Sequence, residues 1–244
     1  MRLARYLALA GVASRRRCEE LIRAGRVRVQ GRQETDPSRR VQVGQETVEL
    51  DGQPLALQPR VYVLLHKPPG LLSAARDDRG RTTVTQYVQS RGGPDVRLYP
   101  VGRLDRMSEG LMLLTNDGEL AHALTHPSRE VPKTYRVWVD GAVSPATVGR
   151  LRSGVMLDDG PARAVAARIV RTTGRETVLE LTLHEGRKRE VRRMCLAVGH
   201  PVRRLVRVRL GPLTLRGLPT GAWRYLTPQE VQALYREAGL DPGG

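Results

Sequence analysis

Apolar and polar positions divide the chain into two stretches of different texture. In the first, Leu3, Tyr6, Leu7 and Ala10 recur at helical spacing, and the run stops at Gly11, a residue suited to the left-handed conformation past a helix end. Ser14 offers an oxygen to open a second helix, in which Cys18, Leu21 and Ile22 form an apolar stripe while Arg15, Arg16 and Arg23 lie off it. "RVRVQG" alternates strictly, with Val27 and Val29 on one face and Arg26 and Arg28 on the other. "VELDGQPL" predicts a hairpin that turns at Asp51 and Gly52. "QPLALQPR", marked by Pro54 and Pro59, reads as a linker, so residues 1–58 are expected to form a small domain and residues 59–244 a larger one.

The second stretch opens on "VYVLLHK", a buried-type strand over residues 61–67, ended by Pro68, Pro69 and Gly70. Further strands are predicted at 111–115, 134–139, 177–183 and 202–209. Ser144 followed by Pro145 starts a helix between them, and Thr227, Pro228 and Glu230 form a capping box with proline at the first helical position. A further helix is expected to start after Gly186, burying Val191, Met194, Cys195 and Val198. This mixed order points to an α+β domain. There is no internal repeat and no low-complexity tract.

Charge narrows the class of partner. Among 244 residues, 41 Lys and Arg stand against 25 Asp and Glu, a formal charge of +16. Such an excess suits a polyanion, whose phosphates it neutralises with release of counterions. All the cations but Lys67, Lys133 and Lys188 are arginine, the planar residue that grips phosphate with two donors and stacks on bases. Cys18 and Cys195 fall on apolar helix positions and read as buried thiols of a cytoplasmic protein. No apolar run approaches the roughly 18 residues of a membrane span, so no membrane is expected as partner. "MRLARYLALAGVAS" imitates a signal peptide, but Arg5 interrupts it and a second helix follows at once; it is expected to be the first helix of the mature fold.

Several chemistries are excluded by motif. There is no glycine-rich dinucleotide fingerprint and no phosphate loop ending in Gly-Lys-Ser/Thr. His122 and His126 share a helix face, but no third ligand completes a metal site, and none is expected. Three segments remain. In "VGRLDRMSEGLMLLTNDGE", Asp105 falls in the loop before an apolar strand, with Arg103 on its side; a turn-forming aspartate is the plainer alternative. In "KTYRVWV", alternation puts Lys133, Tyr135 and Val137 on one face, where a tyrosine can equally be core. In "HEGRKREVRRMC", Arg192 borders the buried stripe, with Lys188 and Arg189 three or four residues earlier on the same side. That side is either an outward basic face or one that turns Arg192 inward to meet a carboxylate.

"RLARYLALAGVASRRRCEELIRAGRVRVQG" resembles the αL-type RNA-binding domain first recognised in a small-subunit ribosomal protein, which makes Arg2, Arg15, Arg16, Arg23, Arg26 and Arg28 candidate RNA contacts. "GRLDRMSEGLMLLTNDGE", "KTY" and "EGRKREVRRM" resemble the three motifs of the RsuA/RluB-type ribosomal RNA pseudouridine synthases. That resemblance implies a catalytic domain on a mixed, mainly antiparallel sheet, and no cofactor. It implies a flipped uridine whose glycosidic bond is broken with the help of Asp105 and remade through C5. Arg192 is implied as the partner of Asp105, and Tyr135 as the ring that stacks on the base. Arg103, Lys133, Arg187, Arg189 and Val191 complete the expected substrate-binding set. The expected substrate is 23S ribosomal RNA and the expected working form a monomer. A 16S ribosomal RNA enzyme and a non-catalytic ribosome-assembly factor are the alternatives. Two positions depart from the family pattern: Glu190 stands where relatives commonly have glutamine, and Ser108 where threonine is common.

Overall fold

A computed structural model of the chain describes residues 1–241. They form two compact units: Met1–Val61 together with Pro94–Leu98, and Tyr62–Gly93 together with the chain from Tyr99 onward. The excursion Pro94–Leu98 has no counterpart in the sequence reading.

In the first unit, α1 (Leu3–Leu9) ends at Ala10, and Gly11 follows at φ +84°, where a Cβ would also lie 2.5 Å from the Gln58 side chain. The Oγ of Ser14 accepts from the Arg17 N–H to open α2 (Arg15–Arg23). Strand β1 (Val27–Val29) buries both valines and exposes Arg28; it lies between β2 (Arg32–Glu34) and β3 (Val48–Leu50), and β4 (Gln53–Pro54) completes the sheet. Asp51 and Gly52 both take positive φ, the turn whose twist matches antiparallel strands. Leu3, Leu7, Cys18, Ile22, Val27 and Val48 fill the core, and the Tyr6 hydroxyl donates to the Leu55 carbonyl at 3.0 Å.

The second unit runs β5 (Tyr62–Lys67), α3 (Val84–Gln89), β6 (Tyr99–Pro100), β7 (Glu109–Thr115), α4 (Gly118–Thr125), β8 (Lys133–Asp140) and α5 (Pro145–Ser153). It continues through β9 (Val155–Leu157), β10 (Gly160–Ala162), β11 (Ala166–Thr172), β12 (Glu176–Leu183), α6 (Glu190–Ala197), β13 (Val202–Leu210), β14 (Leu213–Thr214), β15 (Trp223–Tyr225) and α7 (Pro228–Glu237). The main sheet has the order β11-β12-β8-β13-β7-β5-β15, with β14 on β13 and β6 on β7, while β9 and β10 form a separate hairpin. Among the described residues its strands pair antiparallel except at the central seam, where β13 runs parallel to β7. On one face, Leu64, Leu111 and Leu113 pack with Leu120 and Leu124 of α4 and Leu234 and Tyr235 of α7.

The seam explains one residue of the "VGRLDRMSEGLMLLTNDGE" segment. Gly110 faces Arg207 across the parallel pair at φ +123°, and a Cβ there would stand 2.4 Å from the Arg207 backbone N and O. Only glycine permits that approach. Helix α6 begins at Glu190, later than the start expected after Gly186, because Arg189 adopts the left-handed conformation at φ +53° and breaks the helical path. Cys18 and Cys195 are both wholly buried, and burial pushes the Cys195 thiol up to about 12. No helix among the described residues is long and apolar enough to cross a membrane.

Candidate active site

Asp105 lies in the loop between β6 and β7, and that loop is pinned from two sides. Lys67, at the end of β5 and 0% exposed, donates to the carbonyls of Pro68, Asp105, Arg106 and Ser108 at 3.1, 3.3, 3.1 and 2.8 Å. The Ser73 hydroxyl donates to the Leu104 carbonyl at 2.7 Å and accepts from its N–H at 3.0 Å. The backbone is therefore held while the carboxylate is left accessible: its side chain is 36% exposed and lines a cavity of about 290 Å³. Arg103, Tyr135, Arg189, Glu190 and Val191 line the same cavity. The turn-forming alternative accounts for the Asp105 backbone, whose carbonyl accepts from Ser108 N–H at 2.9 Å, and leaves the side chain unexplained.

One expected pairing is corrected. The guanidinium within ion-pair range of Asp105 is that of Arg189, with Nη1 3.9 Å from Oδ2. Arg192 makes no ion pair with Asp105; its Nη1 donates to the Val202 carbonyl at 3.0 Å. The cause is the left-handed turn at Arg189, which takes Lys188 and Arg189 off the helix face they were expected to share with Arg192. Asp105 still acts on Arg192 through space, opposing the burial and the neighbouring Arg189 that together loosen the Arg192 proton.

The remaining candidates divide by what their polar atoms already do. Tyr135 is 8% exposed, and burial pushes its phenol up. Val191 is buried at the start of α6. Arg103 is exposed, with no ion pair among the described residues. The Lys133 ammonium donates to the carbonyls of Val131 and His184 at 2.9 and 2.8 Å, so it braces the wall. Arg187 is committed as well: it bonds Asp159 at 3.1 Å, the Pro161 carbonyl at 2.6 Å and Glu190 at 3.3 Å, fastening the β9–β10 hairpin to the start of α6. It also lines the Asp105 cavity, as expected of a substrate-binding residue, with its guanidinium acting as a strut. Glu190 accepts from Arg187 N–H at 3.0 Å, and burial raises its carboxyl.

Sequence reading missed Lys67 and Arg207. A lysine at the end of a buried-type strand, just before Pro68, was the available signal for the first. For the second, alternation in "VRVRLG" sends one face outward, whereas both Val206 and Arg207 are buried. Of the two histidines that share the α4 face, His126 has a local role: its imidazole bonds Ser128 and caps the short turn Pro127–Arg129.

In the first unit, all six candidate RNA contacts are exposed. Arg26 is engaged by Asp51 and Arg23 by Glu19, whereas Arg2, Arg15, Arg16 and Arg28 carry no ion pair among the described residues. Arg2, Arg15 and Arg23 surround one depression of about 160 Å³.

A basic module joined to a mixed-sheet unit that presents an accessible carboxylate among arginines is the make-up of an enzyme that works on RNA. Residues 61–197 match the family described as RNA pseudouridylate synthase, and residues 1–46 match the S4 domain. The chain is 42% identical to an uncharacterised RNA pseudouridine synthase of Aquifex aeolicus (strain VF5), over 98% of this chain and 96% of the relative. It is 43% identical to the ribosomal large subunit pseudouridine synthase B of Bacillus subtilis (strain 168), over 96% of this chain and 95% of the relative. A solved pseudouridylate synthase is 27% identical with a TM-score of 0.64, covering 96% of this chain and 99% of that one. The chain belongs to the RNA pseudouridylate synthase family and is an isomerase of uridine in RNA.

Proposed function

We propose that this chain converts one uridine of 23S ribosomal RNA to pseudouridine, with Asp105 as the group that acts at the sugar. The observation that carries the reading is the Asp105 loop, whose backbone is fastened by Lys67 and Ser73 while its carboxylate faces a cation-lined cavity. A stacked uridine must be flipped out before its glycosidic bond is reachable. The bond from N1 to C1′ then breaks, the base turns, and C5 joins C1′; C5 loses a proton and N1 gains one, with no net oxidation. Arg189, the nearest cation, keeps the carboxylate paired; Tyr135 lies against the base and Val191 supplies apolar wall. Arg103, exposed and unpaired, takes a flanking phosphate. The working form is proposed to be a monomer. The large-subunit substrate is supported by the name of the Bacillus subtilis relative.

The test is Asp105→Asn with a pseudouridine map of ribosomal RNA. The variant is expected to bind RNA normally and to form no pseudouridine, and the missing modification is expected in 23S RNA. Full activity removes the assignment of Asp105. A site lost from 16S RNA instead moves the substrate, and an unchanged map with defective subunit assembly favours a non-catalytic assembly factor.

A further inference from the structure

Arg207 is the one arginine among the described residues whose whole side chain is buried, at 2% exposure. It sits on β13 in the middle of the sheet, opposite Tyr135 of β8 on one side and Gly110 of β7 on the other. Nε donates to the Leu111 carbonyl at 2.8 Å, and Nη2 is buried with no hydrogen-bond partner. No carboxylate lies within ion-pair distance among the described residues. A buried cation without a counter-ion is destabilising, and a hydrophobic residue of similar volume would pack there more favourably. Its cross-strand neighbour on β8 is Tyr135, and the guanidinium charge pulls that phenol down against the rise that burial causes. Tyr135 lines the cavity that holds Asp105, and both Tyr135 and Arg207 line the adjoining cavity of about 590 Å³.

A fixed positive charge beside a phenol orients the hydroxyl and stabilises negative charge on its oxygen. We propose that Arg207 is a positioning residue for the isomerisation, holding the Tyr135 phenol from the next strand and stabilising the charge that gathers on its oxygen as protons pass to and from the base. The proposal rests on the reading of Tyr135 as a group in contact with the base. Once C5 has joined the sugar, the base sheds a proton from C5 and takes one at N1. A phenol that gives one and receives the other ends unchanged, passing through a phenolate. The other charged groups acting on this phenol are Glu190 of α6 and Asp105, both of which raise it, whereas Arg207 opposes burial. Lys133, two residues along β8, shares the adjoining cavity, and Arg103, Arg187, Lys188, Arg189 and Glu185 rim the two cavities.

The experiment combines Arg207→Met, Arg207→Lys and Tyr135→Phe with tyrosines carbon-13 labelled at Cζ, the Tyr135 signal being assigned by its loss in the phenylalanine variant. In Arg207→Met, Tyr135 is expected to ionise at clearly higher pH, and kcat to fall about 10- to 100-fold with little change in KM for RNA. Arg207→Lys is expected to recover part of both. In the Tyr135→Phe background, neither change at Arg207 is expected to lower kcat by more than about 2-fold, because the group it serves is gone. An unmoved titration, or losses that multiply independently in the two backgrounds, overturns the proposal. If Arg207→Met fails to fold, as read by circular dichroism, the lysine variant in both backgrounds decides the question. Full activity of Tyr135→Phe overturns the catalytic part of this proposal together with the reading of Tyr135, while leaving the Asp105→Asn result to stand by itself.

Discussion

Lys67, wholly buried, commits a full positive charge to backbone carbonyls. Burial lowers its pKa to about 8, against the opposing pull of Asp105 and Glu109. The sign of the consequence follows from linkage. Between about pH 8 and the ordinary lysine value near 10.5, the unfolded chain holds a proton that the folded one has released, so stability from this group rises with pH across that window. Relative to Lys67→Met, the wild type is expected to gain on the order of 1 to 3 kcal/mol from pH 8 to 10.5, measured by urea unfolding. Lys67→Met is also expected to release the Asp105 loop and cut kcat by more than about tenfold at pH 7. At this scale the sequence was partly legible. Asp105, Tyr135 and Val191 all reach one cavity as their motifs implied. The partner of Asp105 was not legible, because a single left-handed residue, Arg189, decides which guanidinium comes near, and spacing along an ideal helix carries no trace of it.

Among the elements, α4 shows how the tail of the "VGRLDRMSEGLMLLTNDGE" segment is used. Asp117 caps the helix, accepting from Glu119 and Leu120 N–H groups at 3.2 Å each, and also accepts from the hydroxyls of Tyr62 on β5 and Tyr235 on α7. Asp117→Ala strips the cap and removes the acceptor that the Tyr62 and Tyr235 hydroxyls share, leaving them only their 3.2 Å contact with each other, so it is expected to destabilise the protein by about 1 to 3 kcal/mol in denaturant unfolding. The long strands were readable from their apolar runs: β5, β7, β8, β12 and β13 all stand within two residues of the expected limits. β11 was missed because it lies at the sheet edge, mostly exposed and bearing Arg168 and Arg171 on a strand with little apolar alternation. α3 was missed because it is only six residues long, although Thr83 and Gln86 form its capping box. The parallel seam of β13 on β7 was beyond periodicity altogether, since strand order leaves no mark on the repeat of two.

For the whole molecule, the surplus of arginine has to be sorted into cations that are engaged and cations that are available. In the first unit Arg15, Arg16 and Arg28 are exposed and unpaired, whereas Arg26 is neutralised by Asp51. Replacing each of the first three by alanine is expected to weaken RNA binding and flatten its salt dependence by about 0.9 for each duplex phosphate left without its arginine. Arg26→Ala is expected to flatten it less; an equal effect at all four positions would show that RNA displaces Asp51. Composition announced the polyanion but not this division, which depends on hairpin geometry at Asp51. The scarcity of lysine has a different use. Lys67 is sealed inside and Lys133 is tied to two carbonyls, so Lys188, exposed at the mouth of the Asp105 cavity, is left as the one freely presented side-chain amine. Among the lysines, a mild acylating reagent should therefore mark that lip, and the rate of labelling at Lys188 becomes a direct gauge of whether a nucleic acid has closed over the doorway.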